Sequence, residues 1–124
     1  MALRIELKPF EELFISRSVI QNGPEKVAFA ISGGSPLLRG RDHLPGNAVD
    51  SPCKELQFAV QTLYLEELDY DLAITGIRDV AHELCAALPG LSRQVAEILE
   101  QLEAGDTFKA LKSCRGLVEL EGRA

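Results

Sequence analysis

Hydrophobic and polar positions alternate in the early part of the chain and then change period. Leu3, Ile5 and Leu7 are separated by Arg4, Glu6 and Lys8, the two-residue period of a half-buried strand. Pro9 has no amide to donate and ends that ladder. Leu13 to Ser16 and Ser18 to Gln21 read as two further short strands turning near Arg17, although Ser16-Arg17 lacks the Asn-Gly chemistry of a tight hairpin. Asn22-Gly23-Pro24 is a clear turn. Val27, Phe29 and Ile31 then share one face, with Ala28 and Ala30 on the other, and after Gly33-Gly34-Ser35 the chain can return as a strand over Pro36 to Arg39. From Asp42 to Asp50 the Pro, Gly and Asn content is that of a connector.

Beyond it the period is helical. Ser51-Pro52 starts a helix, because the serine hydroxyl accepts from an orphan amide and proline is already set at helical φ. Leu56, Ala59, Val60, Leu63 and Tyr64 recur along one face, and Phe58 and Leu65 widen it, so this helix is expected to have neighbours on two sides and to pack the strand-rich half against the helical half. A second helix is predicted over Leu72 to Leu88 with Ile74, Ile77, Ala81, Leu84 and Leu88 inward, stopped by Pro89-Gly90. A third covers Ser92 to Leu102 and buries Val95, Ile98, Leu99 and Leu102. A fourth follows an Asp106 cap and carries Phe108, Leu111, Cys114 and Val118. The expected fold is α+β: a small N-terminal antiparallel β layer of about five short strands, then an antiparallel bundle of three to four helices. The expectation is one domain over 1–124, with a β subdomain at 1–46 and a helical subdomain at 47–124.

Composition narrows the classes. At 46% hydrophobic and 26% charged residues the chain is ordinary for a globular protein. No apolar run approaches the roughly 18 residues of a membrane span, and the N-terminus lacks the apolar core of a signal peptide, so no membrane and a cytoplasmic location are expected. Cys53, Cys85 and Cys114 form no CxxC or Cys/His cluster, and Cys85 and Cys114 read as small core residues, with no metal or cofactor implied. The net charge of −6 is uneven. Residues 1–48 carry six Lys/Arg against five Asp/Glu, and residues 49–124 carry seven against fourteen. A polyanion is therefore tolerated only by the first half.

Candidate chemistry is sparse. His43 in the connector and His82 in a helix are expected at the surface or at caps, and Asp69 and Asp71 as solvated or capping acids. Gly33-Gly34 is followed by no helix and no Gly-Lys-Ser/Thr, so it reads as a hairpin turn, and Ser32 and Ser35 lack a nucleophile-elbow context. A non-enzymatic protein is expected. The most suggestive cluster is Leu38-Arg39-Gly40-Arg41-Asp42-His43-Leu44, whose two guanidinium groups suit phosphates or unpaired bases; taken alone, it reads rather as an ordinary solvated rim with Arg39 or Arg41 paired to an acid. If RNA binds, Arg39 and Arg41 are expected as anchors with Lys8, Arg17 and Lys26 in support. Phe10 and Phe14 offer stacking surfaces, but no RNP-type motif accompanies them and core packing is expected. On the last helix, Leu117, Val118 and Leu120 are apolar on more than one side, which suggests a partner-binding groove or a self-association surface.

The chain also resembles a known family. Leu7-Lys8-Pro9, Val19-Ile20-Gln21-Asn22-Gly23, and Leu38-Arg39 with Asp42 and Leu44 are similar to the FlbT family of flagellin-synthesis repressors. So are Ser51-Pro52, Phe58-Ala59-Val60-Gln61 with Tyr64-Leu65, and Lys109-Ala110-Leu111-Lys112 with Arg115 and Leu117. Their order and spacing carry the likeness along nearly the whole chain. The resemblance implies a cytoplasmic, post-transcriptional regulator of bacterial flagellum biogenesis. Such a protein associates with the 5′ untranslated region of flagellin mRNA, promotes its degradation, and is linked to the small regulator FlaF. Three places depart from the family pattern: Pro24-Glu25-Lys26 stands for a more arginine-rich turn, Gly40 for a bulkier residue, and Ser16-Arg17 for an Asn-Gly-like turn. Two readings follow. In one, RNA lies on the basic first half. In the other, a FlaF-type protein docks on the acidic helices without direct RNA contact.

Overall fold

Five strands precede four helices in the computed structural model, which describes residues 2–66 and 68–123. The chain divides into two compact units, 1–43 and 44–124. In the first, β1 (Ala2–Leu7) pairs antiparallel with β4 (Val27–Ser32), in a register running from Ala2 opposite Ser32 to Leu7 opposite Val27. A second antiparallel sheet has the order β3-β2-β5, from β2 (Glu12–Ile15), β3 (Ser18–Gln21) and β5 (Leu37–Arg39). Ile5, Leu7 and Leu13 form the buried centre of this unit, with Ile15, Phe29, Ile31 and Leu37 packed around them. Alternation thus predicts which residues face inward, except that Leu3 and Val27 of the β1–β4 pair stay exposed.

Polar ties hold the turns. The hairpin from β2 to β3 forms without Asn-Gly because Ser16 itself takes a left-handed φ of +51°. Asn22 donates its amide to the carbonyls of Lys8 and Glu25, each at 2.8 Å, and to that of Leu7 at 3.3 Å. One side chain thereby gathers the ends of β1 and β3 and the start of β4. At Gly40 a Cβ would lie 3.0 Å from the Glu12 carbonyl oxygen, so a larger residue would have to push the chain after β5 a few tenths of an ångström from β2.

The second unit is helical: α1 (Pro52–Glu66), α2 (Tyr70–Ala87), α3 (Ser92–Glu103) and α4 (Thr107–Arg123). Among these, α1 packs on α2 and α4, and α3 packs on the same two helices. Three starts carry their expected caps: Ser51 Oγ accepts from Lys54 N at 3.2 Å, Asp69 from Leu72 N at 3.2 Å and Asp106 from Lys109 N at 3.1 Å. The cap of α1 is extended by Glu121 of α4, which accepts from the Ser51 hydroxyl and, at 3.2 Å, from Cys53 N. A carboxylate at a helix N-terminus also meets the positive end of the dipole.

The interior follows the predicted faces with several corrections, and Leu88 and Leu99, expected inward, are only half-buried. On α4 the inward residues are Ala110, Leu111, Cys114 and Leu117, whereas Val118 is half-buried and Phe108 is 42% exposed. Phe108 instead lies tilted on Tyr64, ring centroids 5.5 Å apart, beneath the Lys112 ammonium. Cys85 is half-buried rather than core, while Cys53 and Cys114 are buried. Gln57 and Gln61 of α1 are buried among apolar neighbours. Gln61 earns its place by bonding Leu44 twice, accepting from its amide at 2.8 Å and donating to its carbonyl at 2.9 Å.

Candidate functional site

Four of the five predicted cations come together in the first unit. Lys8 after β1, Lys26 before β4, Arg39 at the end of β5 and Arg41 in the one-turn 3-10 helix Gly40–Asp42 line one cleft of about 340 Å³. Antiparallel pairing of β1 with β4 brings the Lys8 and Lys26 ends of those strands together. Arg17 sits at the tip of the β2–β3 hairpin and is not among the lining residues.

Glu6 and Glu11 complete the lining. Arg39 donates from Nη1 to the Glu6 carbonyl at 2.9 Å and lies 3.5 Å from Glu11 Oε1. Its side chain is only 29% exposed, so it fixes the cleft wall as much as it offers charge. Lys26 Nζ stands 3.7 Å from Glu6 Oε2, in an exposed pair that solvent largely screens. Lys8 and Arg41 are exposed and, among the described residues, have no carboxylate within ion-pair distance. Four cations against two carboxylates leave the cleft net positive, with Lys8 and Arg41 as its most available charges.

Phe10 departs from its expected place in the core. Glu11 N donates to the Lys8 carbonyl at 3.1 Å, closing a turn with Pro9 second and Phe10 third. Phe10 carries a φ of +62°, the geometry of a type II turn, where glycine is usual. Its ring is 63% exposed. A large aromatic residue therefore occupies a strained backbone position in the very turn whose Lys8 and Glu11 line the cleft. The readable signal is Pro9 one residue earlier, which favours such turns. Phe14 lies against the His43 imidazole, centroids 3.7 Å apart and planes 7° from parallel. Burial lowers the His43 pKa from its ordinary value, and the Glu12 charge offsets this in part.

In the helical unit, Leu117 is 1% exposed and belongs to the interior. Of the three residues expected to bind a partner, Leu120 reaches the surface at 38% exposure and Val118 does so in part. Burial, together with a hydrogen bond to Glu121 and its charge, pushes the Cys53 thiol up to about 12. Burial and the neighbouring Cys53 push Cys114 to about 12 as well, so neither is a thiolate near neutral pH. His82 is exposed, and Asp69 is a cap. Among the described residues no three His, Cys, Asp or Glu side chains gather as a metal-ligand set, and no helix is long and apolar enough to cross a membrane.

Fold and site together define a small α+β protein with a cation-lined cleft on its strand unit and an acidic helical unit. Residues 3–124 match the family described as flagellar protein FlbT, and the chain belongs to that family. It is 34% identical to a probable flagellum biosynthesis repressor protein FlbT of Rhodopseudomonas palustris, over 98% of this chain and 95% of the relative. It is 31% identical to the corresponding probable repressor of Bradyrhizobium diazoefficiens, over 98% and 83% of the two chains. Identity to the flagellum biosynthesis repressor protein FlbT of Caulobacter vibrioides is 25%, over 98% and 87%. No solved structure matches.

Proposed function

We propose that this protein is a cytoplasmic regulator of flagellum biosynthesis that binds the 5′ untranslated region of flagellin mRNA and promotes its degradation, acting by binding rather than by catalysis. Family membership and the repressor names of the relatives support the regulatory part. The observation that supports direct RNA contact is the Lys8-Pro9-Phe10-Glu11 turn. It carries an exposed ring held at a strained φ, beside a cleft with net positive charge. Strained positions kept by non-glycine residues concentrate at functional sites. Phosphates would be met by Lys8 and Arg41, with Lys26 and Arg39 behind them, and an unpaired base would stack on Phe10.

Two variants test this on a flagellin leader RNA. Three or four phosphate contacts imply a salt slope of roughly −2 to −3, at about 0.7 per contact for a single strand. Replacing both Lys8 and Arg41 with alanine is expected to flatten that slope by about one to one and a half units. Phe10→Gly relieves the backbone while removing the ring, so it should weaken binding about tenfold with stability undiminished, within the roughly 1–3 kcal/mol of a base stack. In cells, the same variants should lengthen the half-life of flagellin mRNA. Unchanged affinity in both variants would overturn direct contact.

A second reading is favoured by the two carboxylates inside the cleft and the acidity of residues 49–124, which limit any RNA footprint. There a FlaF-type protein docks on the helical unit near Val118 and Leu120 and mediates the effect. Purified protein that shifts leader RNA only after such a partner is added would select this reading.

A further inference from the structure

The strand β3 presents all four of its residues, Ser18 to Gln21, to solvent. It pairs only with β2 among the described residues, so its other edge is open. Val19 is 52% exposed and Ile20 40% exposed. Edge strands are normally guarded by charge, proline or a bulge, and β3 has none of these within its Ser-Val-Ile-Gln sequence. The other uncharged edge, β4, differs in that its large residues Phe29 and Ile31 already pack on the core. β1 carries Arg4 and Glu6, and the Glu6 carbonyl is taken by Arg39. Apolar surface still to be gained is therefore concentrated on β3.

We propose that β3 pairs with β3 of a second copy of this chain, antiparallel and centred on Ile20, so that two three-stranded sheets join into one of six strands. The hydrogen-bond parity admits this register, and the side-chain pairing selects it. Asn22 N donates to the Glu11 carbonyl directly opposite it, at 3.0 Å. Antiparallel pairs alternate between bonded and non-bonded, so Leu13–Ile20 and Ile15–Ser18 are bonded pairs too. The main-chain groups of Val19 and Gln21 consequently point off the free edge. Two copies related by a two-fold axis can then bond Val19 to Gln21 in both directions, with Ile20 opposite Ile20 as the close, non-bonded pair. Ile20 shares its sheet face with the buried Leu13, so the contact extends each core across the junction. Ser18 falls opposite Asn22, and no charge faces a like charge. The alternative register centred on Val19 would set Gln21 against Arg17 and leave Ile20 against Ser18. A four-residue strand makes a small interface, so the dimer forms in a concentration-dependent way.

Two substitutions test the strand and its register. Val19→Pro removes only an amide that points away from β2, which leaves the hairpin ladder intact. Analytical ultracentrifugation of the full chain is expected to show a reversible dimer for the native protein and at least tenfold weaker association for Val19→Pro, with circular dichroism unchanged. Ile20→Cys places two thiols across a non-bonded pair at about 4.5 Å between Cα atoms, within reach of a disulfide. Mild oxidation should convert it to a covalent dimer bridged at residue 20 by mass spectrometry, while the native chain stays monomeric on a non-reducing gel. A native protein that remains monomeric at high concentration overturns the proposal. So does a dimer without the residue-20 bridge, which would place the junction elsewhere, for example along β4.

Discussion

The two units hold themselves together by different means. In residues 44–124 the interior is mostly apolar: Leu56, Val60, Ile98, Leu102 and Leu111 are almost fully enclosed. Among the described residues of 1–43 only Ile5, Leu7, Leu13 and Leu38 are buried hydrophobics, and the rest of the apolar set is partly or fully exposed. There the order comes from side chains tied to backbone, Asn22 to three carbonyls and Arg39 to one. The lesson is that a small sheet with little core spends its polar residues on architecture. A cation such as Arg39 is then partly committed before any ligand arrives, and the charge left for binding belongs to Lys8 and Arg41.

The sharpest way to break that comparison is to empty the helical core. Leu56→Ala removes a fully enclosed side chain where α1 is buried, and should cost about 2–5 kcal/mol in urea denaturation. Phe29→Ala in β4, half-buried at the margin of the smaller core, should cost less. Equal losses would mean that the strand unit depends on apolar packing as heavily as the helical one does.

Asn22→Ala attacks the other mode of support. It removes the side-chain donor from the Leu7, Lys8 and Glu25 carbonyls, of which Lys8 keeps the Glu11 amide, at a cost of about 1–3 kcal/mol for the lost bonds. Hydrogen exchange should report the loss in the amides of residues 2–32 and leave α1 to α4 protected. Uniform deprotection across the chain would show that the two units unfold together.

How far this was legible in the residues depends on the distance over which each signal acts. The helix starts are local chemistry, and Ser51-Pro52, Asp69 and Asp106 cap as their residue types dictate. Strand faces follow from alternation, and the family from the order of short matches. The four cations can be read as basic residues near strand ends, but the counter-charges Glu6 and Glu11 become visible only once the strands are paired. Phe10 is misplaced by composition, since a phenyl group ordinarily belongs inside; the turn that Pro9 sets decides otherwise. Gln61 is polar within a helical face and gives no hint of a partner 17 residues earlier in a connector. The α4 register misleads because Phe108 is drawn to Tyr64 rather than to the centre.

A smaller effect is expected at the cap of α1, where the helical unit borrows the polar strategy of the strand unit. Glu121→Ala leaves Ser51 as the sole side-chain cap and exposes Cys53 N, for a loss of about 0.5–2 kcal/mol. Glu121→Gln keeps one acceptor oxygen for Cys53 N, can turn its amide nitrogen toward Ser51 Oγ as a donor, and removes the charge at the helix N-terminus, so it should fall between the two. Thermal melts of the three proteins at low and high salt separate the parts, because only the charge contribution is screened. A glutamine variant as stable as the native chain at low salt would assign the whole effect to hydrogen bonding.

The smallest expected effect lies in the Phe14–His43 stack, and it shows how a half-buried polar ring couples the strand unit to pH. Burial lowers the folded-state pKa of His43 below its ordinary value of 6.5, against the opposing pull of Glu12. The unfolded chain therefore takes up the proton more readily than the folded one. Folding stability from this group is fully present above about pH 6.5 and declines as pH falls below it toward the lowered folded-state pKa. His43→Phe keeps a flat ring against Phe14 and has nothing to titrate. Every other group is common to both proteins, so the difference between their stability–pH curves isolates the imidazole. That difference should be flat from pH 8 to about 6.5 and then move in favour of the phenylalanine variant as pH falls to 5. Parallel curves throughout would mean that the stack tolerates imidazolium, and that this part of the strand unit is held by shape rather than by excluding charge.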